Sequence, residues 1–314
     1  MKIIDFTDRW IPAAMELAAA NYREERCAVP VLPEMPALPP MDYLAENDLG
    51  VAAVQDGQLL GYLCAMGPWG PVFTTPSAMG VFSPLHAHAA VLEDRIRIYQ
   101  RMYQAAAEKW VHVGAVSHAI MLYAHDQASQ EALFYYGFGM RCMDLIRETI
   151  SEPFAVSDCN FRELPPAEHS KLRHLRRALS EHLKRSPCFM ADPPVLTDQW
   201  ISRKELHPPR VFVAEHSGNI VAYLEVQGEG ENFISCARGT ANICGAYCML
   251  EFRGNGNMQG LLNYMQTVLQ PKGYTRLGVD CESFNPTALH FWRKHFTEYT
   301  HSLVRRIDEN ILRY

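Results

Sequence analysis

No two of the nine cysteines are spaced C-x-x-C, and their number is odd, so the chain offers neither a paired-thiol metal site nor a complete disulfide framework. Reduced, buried thiols are the expectation. Positive charge is also short: 29 Lys and Arg stand against 35 Asp and Glu, a net charge of −6, which lacks the cationic excess that duplex nucleic acid demands. No uncharged apolar run reaches the roughly 18 residues a membrane span needs, and the opening "MKIIDFTDRW" has no stretch of signal-peptide length. A cytoplasmic protein with no membrane and no nucleic-acid partner is expected. His86 and His88 in "LHAHA", followed by His112, His118 and His125, have no acidic or cysteine partner at ligand spacing, so no metal is expected.

What is present is length and repetition. At 314 residues the chain is about twice the usual 150 per domain, and 48% hydrophobic content can fill two cores. "VAAVQDGQLLGYL" (51–63) and "FVAEHSGNIVAYL" (212–224) both read as apolar strands around a glycine turn, with Gly57 and Tyr62 matching Gly218 and Tyr223 at one common offset. "LFYYGFGMRCMDLIRE" (133–148) similarly parallels "FWRKHFTEYTHSLVRR" (291–306). Each half should therefore run helix, hairpin, strand, helix, strand, helix, strand, giving two copies of one α/β unit, at 1–150 and 160–314, with the boundary near "SEPFAVSDCN". A second start follows at "FRELPPAEHSKLRHLRRALSEHL", where Leu172, Leu175, Leu179 and Leu183 keep helical spacing. The proline-rich "AVPVLPEMPALPPMDYL" lacks the N–H groups of helix or central strand and is expected to be an extended surface loop, by position a possible lid.

The stretch that carries chemistry is "CMLEFRGNGNMQGL". An apolar strand end runs into Arg253-Gly254-Asn255-Gly256-Asn257, and then into a helix with Met258, Leu261, Leu262, Met265, Val268 and Leu269 on one face, stopped by Pro271 and Gly273. Bare glycine backbone at a helix start turns unpaired N–H groups and the helix dipole toward an anion, most naturally a pyrophosphate. Neither a G-x-x-x-x-G-K-[ST] loop nor the third glycine of a dinucleotide fingerprint is present. "RGNGNM" (253–258) resembles the pyrophosphate signature of the GNAT acetyltransferases, which is Arg or Gln, two variable residues, Gly, one variable residue, then Gly or Ala; Met258 departs from the last position. "RLGVDCESFNPTALHFWRKHF" is similar to the family's next segment, with Asn285, Ala288, Phe291 and Trp292 in the recurring places. The first half has "SPLHAHAAV", without glycine, where the loop should lie.

The resemblance implies two tandem GNAT-like lobes, each a mixed, mostly antiparallel sheet flanked by helices, the first degenerate. It further implies acetyl transfer from acetyl-CoA to a primary amine of a small molecule or peptide by direct attack in a ternary complex, by a monomer or homodimer. On that reading Cys248, Met249 and Leu250 would meet the pantetheine, a main-chain N–H there would polarise the thioester, and Arg253, Gly254, Asn255, Gly256, Asn257 and Met258 would hold the pyrophosphate. Asn285 would cap the next helix or touch the cofactor. Trp292 stands where the family usually places an acid tyrosine; its indole is no useful acid, and core packing competes with a place beside the cofactor. Tyr299 is the nearest downstream phenol. Proton removal from the amine falls to Glu282, or to Asp280 beside it, with Glu225 a further carboxylate. Cys248 reads as packing rather than as a nucleophile. The alternative is a CoA-binding protein without catalysis.

Overall fold

Both turns expected from the repeat form, and with the same backbone. Asp56-Gly57 has φ of 51° and 79° and Ser217-Gly218 has 49° and 78°, the double positive φ that suits a two-residue hairpin. The computed structural model describes residues 1–72, 75–150, 157–192 and 194–313. Residues 151–156, most of the expected boundary segment, lie outside the described residues. The chain divides into two compact units, Met1–Asp144 with Thr297–Tyr314, and Leu145–Phe296.

In unit 1, β1 (Lys2–Asp5), α1 (Ile11–Ala28) and α2 (Asp42–Glu46) precede the hairpin of β2 (Val51–Gln55) and β3 (Gln58–Leu63). Next come β4 (Met66–Trp69), β5 (Gly80–Ser83), β6 (His88–Ala90), α3 (Arg95–His112), β7 (Ser117–Tyr123), α4 (Gln127–Phe134) and β8 (Gly139–Glu148), whose residues from Leu145 on belong to unit 2. The strands β1, β2, β3 and β6 pair antiparallel. Strand alternation sends Ala52 and Tyr62 to a core under α1 with Phe6, Trp10 and Ala14, and Val51, Ala53 and Leu63 to a core under α3 with Ile98, Met102 and Trp110. The proline-rich stretch is no free lid. Val29, Leu32 and Met41 are each 1% exposed, and the Tyr22 hydroxyl donates to the Pro33 carbonyl, because its apolar residues have a core to enter.

Unit 2 runs through β9 (Asn160–Leu164), α5 (Arg173–Lys184), α6 (Pro194–Leu206), β10 (Arg210–His216), β11 (Asn219–Gln227), β12 (Thr240–Cys248), α7 (Asn257–Leu269), β13 (Arg276–Glu282) and α8 (Pro286–His295). Its sheet has the order β9-β10-β11-β12-β13, antiparallel except for the parallel pair β12–β13. Val211, Val213 and Tyr223 join Leu172 and Leu175 in the core under α5. On α7, Gly260 lies against Phe161 so closely that an added Cβ would be 2.6 Å from the ring, and Tyr264 meets Phe212. The last strand, β14 (Thr297–Arg306), follows unit 2 in sequence yet pairs with β7 in unit 1. A division at 150–160 therefore differs from the compact units at the chain's far end: β14 completes an antiparallel pair, from Ser117↔Arg306 to Tyr123↔Thr300, that unit 1 would otherwise lack.

Candidate functional site

The site begins as a defect in β12. Its register with β11 pairs Gly245 with Glu225 and Ile243 with Val226, so Cys244 is an extra residue without a partner on that side. Such a bulge bends a strand and sharpens its twist. On its other edge β12 pairs with β13 from Thr240↔Arg276 only as far as Ile243↔Val279. Beyond that point the two strands part, and residues 244–248 of β12 are left with an open edge facing the end of β13.

Antiparallel pairing decides what that edge displays. Met249 N–H donates to the Val221 carbonyl at 2.9 Å. Alternation then directs the main chain of Tyr247 and Gly245 toward β11, and that of Ala246 and Cys248 toward the open edge. Of the expected trio, then, Cys248 points its backbone at the gap, the Met249 N–H is spent in the sheet, and Leu250 lies in a 3₁₀ turn with 73% exposure. Nothing in the sequence marks where the ladder is broken, so Ala246 is not among the expected cofactor contacts.

From the open edge the chain passes through Leu250–Phe252 to the loop. Gly254 and Gly256 have φ of 82° and 74°, the left-handed region that other residues enter only with strain, and Gly256 is the N-cap of α7. Asn257 is buried and fastens the loop from beneath: its Nδ2 donates to the Phe252 carbonyl at 3.0 Å and its Oδ1 accepts from Ser157 Oγ at 2.7 Å. Arg253 turns back along the strand, its Nε donating to the Cys248 carbonyl at 2.9 Å and its guanidinium 5.4 Å from the Tyr247 ring centre. Met258 is half-buried at the first turn.

Two carboxylates stand on β13 beyond the last pair. Asp280 is exposed and Glu282 half-buried, while Val279 and Cys281 face the core, as alternation requires. Their surroundings differ: Asp280 adds to the field on the Cys244 thiol, and Glu282 to that on Cys188. Glu225 is fully buried and paired with both Arg176 and Lys204, which leaves it no free role as a base. The thiols beside the gap are not nucleophiles. Burial pushes Cys244 and Cys248 to about 11, and burial with Asp280 and Glu282 pushes Cys281 to about 12.

Of the three remaining residues, Asn285 takes the capping role and Trp292 the core packing that the sequence allowed, and only Tyr299 lies in the other unit. Asn285 caps α8, its Oδ1 accepting from Ala288 N–H at 3.5 Å and Thr287 Oγ1 at 3.0 Å, with His182 Nε2 3.3 Å away. Trp292 is 4% exposed and packs edge-on against Phe291 and Phe296. Tyr299 is 1% exposed on β14 in unit 1, so unit 2 does not contain it.

Unit 1 shows what the same course of chain looks like without a gap. Here β5 pairs parallel with β7 as far as Ser83↔Ile120, and β6 continues beside β3. Between them His88 crosses from β6, its Nε2 2.7 Å from the Met121 carbonyl on β7 and its Nδ1 2.7 Å from the Tyr99 hydroxyl. The imidazole is 4% exposed and held by burial at about 4, hence neutral, and it links β6 to β7 through the Met121 carbonyl. The segment "SPLHAHAAV" is not the loop. It forms a 3₁₀ turn and β6, and the entry to α3 is Val91-Leu92-Glu93-Asp94, which has no glycine and places Asp94 at the N-cap that Gly256 holds in unit 2. Among the described residues no group of three or more His, Cys, Asp or Glu could hold a metal, and no helix is long and apolar enough to cross a membrane.

Residues 176–296 match the model of the acetyltransferase (GNAT) family. No curated protein sequence matches the chain. Among solved structures, it is similar to a GCN5-related N-acetyltransferase from Sphaerobacter thermophilus at 14% identity and a TM-score of 0.56, over 97% of this chain and 95% of that one. A GNAT-family acetyltransferase from Colwellia psychrerythraea gives 12% and 0.51, over 98% and 100%. The glucosamine N-acetyltransferase region of a fungal multi-domain β-N-acetylglucosaminidase gives 14% and 0.52, over 96% of this chain and 38% of that one. Identities this low speak for fold alone, and the fold is that of two GNAT-like lobes.

Proposed function

We propose, on the premise that residues 176–296 are a domain of the GNAT acetyltransferase family, that unit 2 transfers the acetyl group of acetyl-CoA to a primary amine by direct attack in a ternary complex. The observation that carries this reading is the parted edge of β12 leading into a loop with two left-handed glycines. An extended thioester ligand needs main-chain partners along its length and N–H groups at its phosphate end, and these two features supply them in that order. Ala246 offers its backbone, and Cys248 its N–H, its carbonyl being held by Arg253, to the pantetheine and thioester, where an N–H can hold charge developing on the carbonyl oxygen. The amides from Gly254 to Met258 receive the pyrophosphate.

The amine enters as an ammonium, so a proton must leave before the C–N bond forms and the C–S bond breaks. We assign that proton to Glu282, directly or through water, with Asp280 as its neighbour on the same strand face. The departing thiolate takes its proton from water, since Trp292 is packed in an aromatic cluster and Tyr299 is 1% exposed. Unit 1, with His88 linking β6 to β7 and no glycine at its helix entry, has no cofactor role in this reading. The missing acid tyrosine favours a second reading, a CoA-binding protein without catalysis.

Purified chain offered acetyl-CoA and a panel of amines should release free CoA thiol, and calorimetry with CoA should give one site per chain. One-site binding with no turnover on any amine supports the second reading. Two equivalent sites, or no binding at all, refutes the assignment to unit 2.

A further inference from the structure

Three charged side chains gather against the bulge. Glu225 and Arg176 are both fully buried, and Arg176 Nε donates to Glu225 Oε1 at 2.8 Å. Lys204, from α6, pairs with Glu225 Oε2 and places its Nζ 3.4 Å from the Cys244 carbonyl, on the one residue of β12 that the bulge leaves unpartnered. Its ammonium also sits 5.1 Å from the Trp200 ring centre, which limits where it can swing. The Glu225 carboxylate lies against Gly245, where an added Cβ would be 2.6 Å from its Oε2, so glycine there spares the carboxylate a clash.

Burying a carboxylate and a guanidinium is a poor way to gain stability, since an apolar pair of similar volume does as well or better. What the cluster adds is direction. It ties the carbonyl that the ladder has released to a charge fixed from two helices, α5 through Arg176 and α6 through Lys204.

Resting on the reading of unit 2 as the acetyl-CoA site, we propose that Glu225 and Lys204 are positioning residues: Lys204, set by the Glu225–Arg176 pair, holds the Cys244 carbonyl out of the ladder. That keeps β12 on the bulged course that frees Ala246 and Cys248 for the thioester ligand. Neither side chain needs to touch substrate.

Lys204→Met in the full chain removes the donor to Cys244 and leaves Glu225 paired with Arg176, so the fold should persist by circular dichroism. Two readouts follow. Without any ligand, hydrogen exchange at the Gly245 and Tyr247 amides, which face β11, should quicken at least tenfold. With ligand, the acetyl-CoA dissociation constant should rise about tenfold, and Lys204→Arg should recover most of both effects. Unchanged exchange at those amides overturns the inference whatever the chain binds. Faster exchange in the variant, together with a wild type that does not bind acetyl-CoA, leaves the positioning role standing and refutes the acetyl-CoA reading. A lowered Tm with unchanged exchange and unchanged affinity of the folded protein makes the cluster merely structural and also overturns it. Should Lys204→Met fail to fold, the double variant Arg176→Met with Glu225→Gln, which leaves no charge of that pair buried alone, is read in the same way.

Discussion

Gly256→Val puts a β-branched residue at a φ of 74° on the N-cap of α7. A left-handed conformation costs an ordinary residue about 1–2 kcal/mol, and branching at Cβ raises the figure. The cost must appear somewhere. If the loop keeps its course, unit 2 loses that much stability, which for a domain of this size is a fall in Tm of roughly 2–8 °C. If the loop relaxes to a negative φ, its N–H groups turn away from the pyrophosphate and CoA binding weakens at least tenfold, about 1.4 kcal/mol. Asn257 opposes relaxation, because its two hydrogen bonds to Phe252 and Ser157 hold the segment next door. We therefore expect both effects together, each partial in stability and full in affinity, since even a loop that stays put now carries a side chain toward the ligand. Gly256→Asn separates the two causes: asparagine tolerates the left-handed region, so it should spare most of the stability and still weaken binding. Calorimetry with CoA and urea denaturation followed by circular dichroism measure the two quantities. A folded Gly256→Val protein with its midpoint unchanged and CoA affinity within twofold of wild type would mean that the loop is an ordinary turn.

Glu282→Gln should lower kcat by roughly a hundredfold on an accepted amine with CoA affinity little changed, and the pH–rate profile should lose its acidic limb. Activity within threefold and an intact limb would pass the role to Asp280 or to water. A second expectation concerns stability and pH in unit 1. Burial holds His88 and His118 at about 4 against 6.5 for a free imidazole, so the unfolded chain takes up their protons first. The stability they contribute is fully present above pH 6.5 and is lost as pH falls toward 4, by roughly 2–3 kcal/mol for each at pH 4.5. A urea midpoint for unit 1 that does not drop between pH 7 and pH 4.5 contradicts this.

Features written by single residues with strong backbone preferences were legible in the sequence. Asp56-Gly57, Gly218 and the Gly254–Gly256 pair each sit at the positive φ that their residue types invite, and the strand–loop–helix order around residue 253 follows from the last. Features set by the meeting of distant segments were not. Nothing local to Cys244 marks it as the extra residue of a bulge, because the count that makes it extra runs along β11, and so Ala246 went unread. Glu225 looked like a strand-end acid because Arg176 and Lys204, which claim it, come from helices about 20 to 50 residues earlier in the chain. "SPLHAHAAV" lacks glycine but is not the counterpart of the loop, because the helix entry lies a few residues later, at Asp94. Tyr299 is near α8 in sequence, but the chain after Phe296 joins unit 1, where β14 pairs with β7.

That departure has a consequence for how the protein is made. The partners Ser117 and Arg306 on β7 and β14 are about 190 residues apart in sequence. During synthesis β7 emerges early and waits, one edge unsatisfied, while the whole of unit 2 is produced. An exposed strand edge is a template for pairing with other chains, so the nascent protein passes through a long interval of vulnerability. Nor can the two halves be separated by a single cut. A fragment ending at residue 150 would lack β14 and a fragment starting at 160 would carry that strand without β7 to pair with.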